Sequence, residues 1–284
     1  MISIVKRNLK IFFRDKAAVF FSLLGVIIII GLYVLFLGDT VQSGLENIPG
    51  ARFLMDSWIM AGLMAVSSIT TTMGAFGIMV DDKSKKLLRD FTASPLSRKS
   101  IAGGYIISSF VIGMIMSFIT FIFAEIYIVA SGGRLLSFSD LLLTLGCIFL
   151  AVMSSSSIVF LITTFIKSAN AFATASTVLG TLIGFLTGVY IPIGILPDAV
   201  QYVIKMFPVS HAASLMRQIV MAVPIKESFA AATPEEIIAF KDNFGVTFFF
   251  GNTELSWATS ILMLLGTTII FYALAILKLS RKEK

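Results

Sequence analysis

The sequence predicts an all-α integral membrane protein: six transmembrane helices, an N-terminal amphipathic cytoplasmic helix, and re-entrant extracellular half-helices between spans five and six. Three observations lead there. Only 13% of the 284 residues are charged and 57% are hydrophobic. Soluble domains carry about 25% charged residues, so this chain has too few polar side chains to coat a soluble fold. The charges also cluster, leaving apolar runs of the length that crosses a hydrocarbon core of about 30 Å as a helix. Those runs lack the alternation of barrel strands. The single Cys147 excludes a disulfide framework within one chain and any thiolate cluster, and the single His211 removes histidine metal sites and His-dependent triads. No metal site is expected.

The elements follow in order. Residues 1–16, MISIVKRNLKIFFRDK, set Ile2, Val5, Leu9, Phe12 and Phe13 near helical spacing among basic residues. This predicts an amphipathic helix along the membrane face; the alternative is a plain topology signal. The first span, 17–37, is too long for a signal-peptide core and no small-x-small cleavage site follows it. The second, 57–80, carries Ser67, Ser68, Thr70, Thr71 and Thr72 near its middle. In the loop 81–100, Leu87, Leu88 and Phe91 form a short apolar edge among charges, and Ser94-Pro95 signals a helix start. Such an edge fits either a partner's groove or a solvated connector.

The third span, 101–130, holds one charge, Glu125. Intramembrane acids are functional candidates by default, while a place near the outer end of the run also suits an interfacial structural acid. Spans four and five are 141–166 and 171–191. In the fifth, Gly180, Gly184 and Gly188 recur every four residues and permit close helix approach. Thr174, Thr177, Thr181, Gly184 and Gly188 share one face. The stripes of spans two and five predict a mildly polar route between them, with hydroxyl-glued helix packing as the alternative.

Pro192 and Pro197 then break the helix, and 199–207 and 209–223 are apolar helices split by Pro208, each too short to span. They read as half-helices, within 192–223, dipping into the outer leaflet against protein or a cavity. In the outer loop 224–254, Thr233-Pro234-Glu235-Glu236 marks the start of a short helix ending near Phe244-Gly245. The sixth span is 255–277.

Sixteen of the lysines and arginines fall on the side of the two termini and six on the other, which places both termini in the cytoplasm. The net charge of +6 therefore sets topology, and no nucleic-acid partner is expected. The sequence has no G-x-x-x-x-G-K-[ST] loop for nucleotide phosphates, no H-E-x-x-H and no G-x-S-x-G elbow, so it does not read as an enzyme.

Two stretches resemble the membrane subunit of type-2 ABC transporters, the exporter permeases of drug and polyketide resistance systems. Residues 86–98, KLLRDFTASPLSR, are similar to that family's coupling segment. Residues 192–217, with Leu196-Pro197, Phe207-Pro208 and Arg217, are similar to its outer re-entrant helices. The chain departs where the family often has Glu followed by Gly-Thr: here Asp82 is followed by Ser84-Lys85. A Trp- and Tyr-rich N-terminal signature of polysaccharide exporters is also missing, which tilts the cargo towards small or peptidic amphiphiles.

The resemblance implies a single transmembrane domain of a bacterial plasma-membrane exporter, pairing with a second permease chain, identical or related, within membrane lipid. A separate ABC ATPase dimer would bind ATP and Mg, with none held by this chain. Asp82, Lys85, Leu87, Leu88, Arg89 and Phe91 would couple to that ATPase. Ser67, Thr71, Thr177, Thr181 and Gly184 would line the route, and Gly188, Val189, Tyr190, Ile191 and Pro192 would form the outer gate. Two other readings stay open: a secondary transporter driven by an ion gradient, or a non-transporting envelope-stress sensor or scaffold.

Overall fold

The computed structural model describes residues 1–33, 35, 48–93, 96–251 and 253–281. The end of the predicted first span and the Ser94-Pro95 signal lie outside the described residues. The elements are α1 (Ile2–Arg14), α2 (Lys16–Leu32), α3 (Ala51–Ser84), α4 (Leu87–Ala93), α5 (Arg98–Ala130), α6 (Phe138–Phe165) and α7 (Ala169–Leu186). A 3-10 turn (Ile193–Ile195) leads to α8 (Asp198–Met206), α9 (Pro208–Val220), α10 (Ala222–Ser228) and α11 (Pro234–Asn243). A two-stranded antiparallel hairpin, β1 (Phe249–Phe250) and β2 (Thr253–Glu254), precedes α12 (Trp257–Arg281).

Helices α3, α5, α6, α7 and α12 are long and apolar enough to cross a membrane, and α1 with α2, bent by 74°, forms a sixth candidate. The bend has a local cause. Asp15 leaves the helical conformation and its side chain accepts the N–H of Ala18, capping the new helix. The chain is an all-α integral membrane protein.

Helix α3 is the hub of the bundle. It packs against α2, α5, α6, α7 and α9, and 78% of its apolar window is buried, against 11% for α7. Helix α12 packs along α6, and α9 sits among α3, α6 and α12. We call the end carrying α1 and α4 the terminal end and the opposite one the distal end.

Several sequence boundaries shift for physical reasons. The fifth span was expected to reach residue 191, but α7 stops at Leu186, because Gly188 turns the chain at φ +66°. The expected half-helix 209–223 is two helices: Pro224 has no N–H for the carbonyl of Val220, so α9 ends there and α10 starts with the proline in its first turn. Thr233 caps α11 in a reciprocal box with Glu236, and the helix ends at Asn243, ahead of a left-handed Gly245.

The face of α1 is also rotated from the expected one. Ile4, Asn8 and Phe12 are buried, on α5 and α3, while Ile2 and Phe13 are exposed.

Candidate functional site at the two ends of the bundle

At the terminal end a single carboxylate joins three helices. Arg7 of α1 donates twice to Asp82 of α3, Nη1 to Oδ2 at 2.7 Å and Nη2 to Oδ1 at 2.8 Å. Tyr105 of α5 donates its hydroxyl to Asp82 Oδ2 at 2.6 Å. Next to this joint, Asn8 Nδ2 donates to Ser108 Oγ at 3.0 Å, fastening α1 to α5 a second time. Fork-on-carboxylate pairs of this kind fix geometry as well as adding energy. Asp82 is 3% exposed, so it organises this end from inside and offers no surface for a partner.

Helix α4 rides on that joint. Its Phe91 ring lies under the Arg7 guanidinium, 5.2 Å from centroid to Cζ. Leu88 and Phe91 also pack on the main core, so the apolar edge predicted to be displayed is largely spent on seating α4. Lys85, Lys86, Asp90 and Ala93 are exposed, Leu87 is half-buried, and the Arg89 side chain is not among those described. Lys86 has φ +62°, so a left-handed turn stands one residue past the Ser84-Lys85 pair, without the glycine that favours it.

At the distal end the organising group is Arg217 of α9, fully buried. Its guanidinium donates to the carbonyls of Gly188 at 3.2 Å, Trp58 at 3.5 Å and Gly245 at 3.5 Å. Two of these carbonyls lie just past the C-terminal ends of α7 and α11, where backbone dipoles leave negative charge. The Trp58 ring carries the guanidinium at 5.0 Å, and its indole N–H donates to the carbonyl of Phe244 at 2.7 Å. Arg217 thus ties α3, α7, α9 and α11 together.

The chain reserves room for it. A Cβ on Gly62 would lie 2.5 Å from Val189 Cγ2 and 2.9 Å from Arg217 Nη2. Gly62→Ala is therefore expected to cost about 1–3 kcal/mol as overpacking. A thermal melt in detergent checks this against Gly146→Ala, whose Cβ would meet nothing within 4 Å.

The proposed gate residues lie here. After Gly188 the chain folds back: the N–H groups of Val189 and Tyr190 both donate to the carbonyl of Gly184. The Tyr190 ring then covers Gly184 so closely that no Cβ fits beneath it. Val189 is buried, and Ile191 and Pro192 are half-buried. The three glycines of the fifth span consequently do different jobs. Gly184 seats Tyr190, Gly188 makes the turn, and a Cβ on Gly180 would meet nothing within 4 Å.

The five residues expected along a route are not brought together. Ser67 and Thr71 are fully buried, Ser67 sharing a hydrogen bond with Thr120 of α5 at 2.8 Å and Thr71 donating to the carbonyl of Ser67. Thr177 and Thr181 are exposed on α7 and donate back to its own carbonyls. The hydroxyl stripe of α3 is thus packing within this chain, whereas that of α7 is left open.

Sequence reasoning missed Arg7, Asn8, Tyr105, Trp58, Gly62 and Asp56. Asp56 is 1% exposed on α3, and its carboxylate oxygens have no hydrogen-bond partner among the described residues, Arg52 being 3.9 Å away. His211 bridges α9 to Ser260 of α12 and to the carbonyl of Lys205. Burial lowers its affinity for a proton below the ordinary histidine value.

A family model described as ABC-2 family transporter protein matches residues 50–277, spanning every long helix from α3 to α12. The chain belongs to the ABC-2 transporter family. It is a multi-pass membrane permease, the non-catalytic kind of subunit in such transporters, and membership implies work with an ABC ATPase. Both ends of this permease fall largely within the match; α1, with Arg7 and Asn8, lies before it. A search of curated proteins finds no match to the sequence.

Proposed function

We propose that this permease is the membrane half of an ATP-driven exporter. It moves a hydrophobic or amphipathic compound (drug, antibiotic, peptide or lipid-like) out of the cytoplasm or inner leaflet of a bacterial plasma membrane. Both termini face the cytoplasm, as the bias of sixteen basic residues against six supports. The terminal end receives an ATPase dimer that binds ATP and Mg. Helix α4 is the coupling helix: Leu87 at its start and the exposed Lys85 just before it meet the ATPase, Arg89 belongs to the same coupling segment, and α1 braces it.

A second permease chain completes the route in the lipid bilayer, and the largely unburied α7, with Thr177 and Thr181 open, supports pairing on that side. The pair α8 and α9 serves as the re-entrant element, with 188–192 as the outer gate. ATP binding in the partner drives a rigid-body alternation between inward- and outward-facing states.

One observation carries this reading: α4 is mounted on the Arg7–Asp82–Tyr105 joint, which connects it at once to α1, α3 and α5. A push on α4 is thereby delivered to the central helix of the bundle, whereas a loose connector transmits nothing.

The test is a mild-detergent pull-down from native membranes, with mass spectrometry and ATP turnover. The wild type is expected to bring down a soluble protein with a nucleotide-phosphate loop. The double variant Lys85→Glu/Lys86→Glu is expected to lose that protein while keeping its melting temperature, because both side chains are exposed. Undiminished recovery with the double variant rules out α4 as the docking element. A wild-type chain recovered alone and folded rules out the exporter, and transport that then requires a pH gradient points to the secondary transporter.

A further inference from the structure

A cavity of about 200 Å³ opens at the distal end, between α3, α5, the start of α6 and the end of α9. It is many times the volume that holds one water. Phe53, Ile128 and Val220 supply apolar walls, and Glu125, Ser57 and Asp140 supply the polar groups. Glu125 accepts one hydrogen bond through Oε2, from the N–H of Leu136 at 3.2 Å. Asp140 accepts the Ser137 hydroxyl through Oδ2 at 2.6 Å.

Ser57 lines the cavity and is fully buried, and its Oγ has no hydrogen-bond partner among the described residues. An orphaned hydroxyl at that depth is costly unless something occupies the space. The lining cation, Arg134, is held by Glu227 outside the cavity at 2.9 Å. Its charge is therefore answered elsewhere, and the lining is left acidic.

We infer that this cavity is a binding site for an ammonium group carried on a short apolar stem. An ammonium has donors and no acceptor, which matches two carboxylates and an acceptor-capable hydroxyl. The apolar walls take the stem. An anion would meet the carboxylates, and a neutral alcohol could donate one hydrogen bond to Glu125 but would leave its charge unpaired in a half-apolar setting. The same chemistry is offered by a free amine and by the head group of phosphatidylethanolamine. The site stands apart from the exporter reading, since it needs no ATPase and no second chain.

The full-length permease is reconstituted in phosphatidylglycerol nanodiscs, and hexylammonium and hexanol are titrated by calorimetry. Hexylammonium is expected to bind saturably and hexanol not at all. Glu125→Gln is expected to weaken the amine at least tenfold with no change in melting temperature. Val223→Trp, which fills the mouth from a position 42% exposed, should abolish binding while keeping Glu125.

Adding phosphatidylethanolamine separates the sources. Loss of hexylammonium binding, with the lipid retained in native mass spectra of the wild type and lost from Glu125→Gln, makes the occupant a head group. Unchanged hexylammonium binding makes it a free amine, and either result supports the site. Equal binding by wild type and Glu125→Gln overturns it. So does the absence of saturable amine binding together with no retained phosphatidylethanolamine.

Discussion

Asp82→Ala is expected to cost about 3 kcal/mol and to release α1 from the bundle. The substitution leaves the Arg7 guanidinium over an apolar seat and the Tyr105 hydroxyl, 2% exposed as a residue, without its acceptor. Breaking a buried pair from one side costs about 3–5 kcal/mol. The lower end applies because the Arg7 side chain is 31% exposed. Thermal unfolding of the purified permease measures the loss, and protease sensitivity near Arg14 reports the freed helix. Arg7→Ala combined with Asp82→Ala should cost clearly less than the sum of the two single losses, as expected for groups in one network. Additive losses would show that the joint is not the connection described.

Trp58→Ala is expected to have the larger effect at the distal end, about 3–5 kcal/mol, as for other buried aromatic truncations. The ring is 1% exposed. It supports Arg217 on one face, meets Phe244 edge-on at 5.3 Å, and holds the Phe244 carbonyl through its N–H. Trp58→Phe separates these roles. It keeps an aromatic face for Arg217 but leaves the carbonyl unmet, at a cost of about 1–3 kcal/mol. Hydrogen exchange in 188–190 and in α11 should accelerate strongly in the alanine variant and mildly in the phenylalanine one. Unchanged exchange in the alanine variant would mean that α11 is held by something other than this contact.

The spans were legible because hydropathy is a property of each helix alone. The ends were less so. Asp56 was passed over because the hydropathic run begins at Ser57, whereas α3 starts at Ala51 and its neighbours bury the acid. The composition of one helix cannot register cover supplied by others.

The hydroxyl stripes misled for a related reason. Spacing correctly put Thr177 and Thr181 on one face, but it is silent on what faces them. Ser67 and Thr71 spend their hydroxyls on a neighbour and on their own helix. Asn8 hides in the apolar register of Ile4 and Phe12, four residues from each, and only its partner Ser108 shows why it belongs there. The stretch 86–98 and the proline-broken segment were readable as motifs of the family, yet Arg7 and Trp58 leave no local signal, since each acts through residues far along the chain.

That distance dictates an order of assembly. The Arg7–Asp82–Tyr105 joint is complete once the first 105 residues or so have emerged. Trp58 has to wait for Arg217, 159 residues later, and for Phe244 beyond it. At about 5–20 residues per second, the wait for Arg217 lasts roughly 10–30 s. For that time α3 sits among its early neighbours with its aromatic platform vacant, and Gly62 keeps open the space that the guanidinium will occupy. Synthesis thus permits the Arg7–Asp82–Tyr105 joint first, and the Trp58–Arg217 contact locks only when its last pieces arrive.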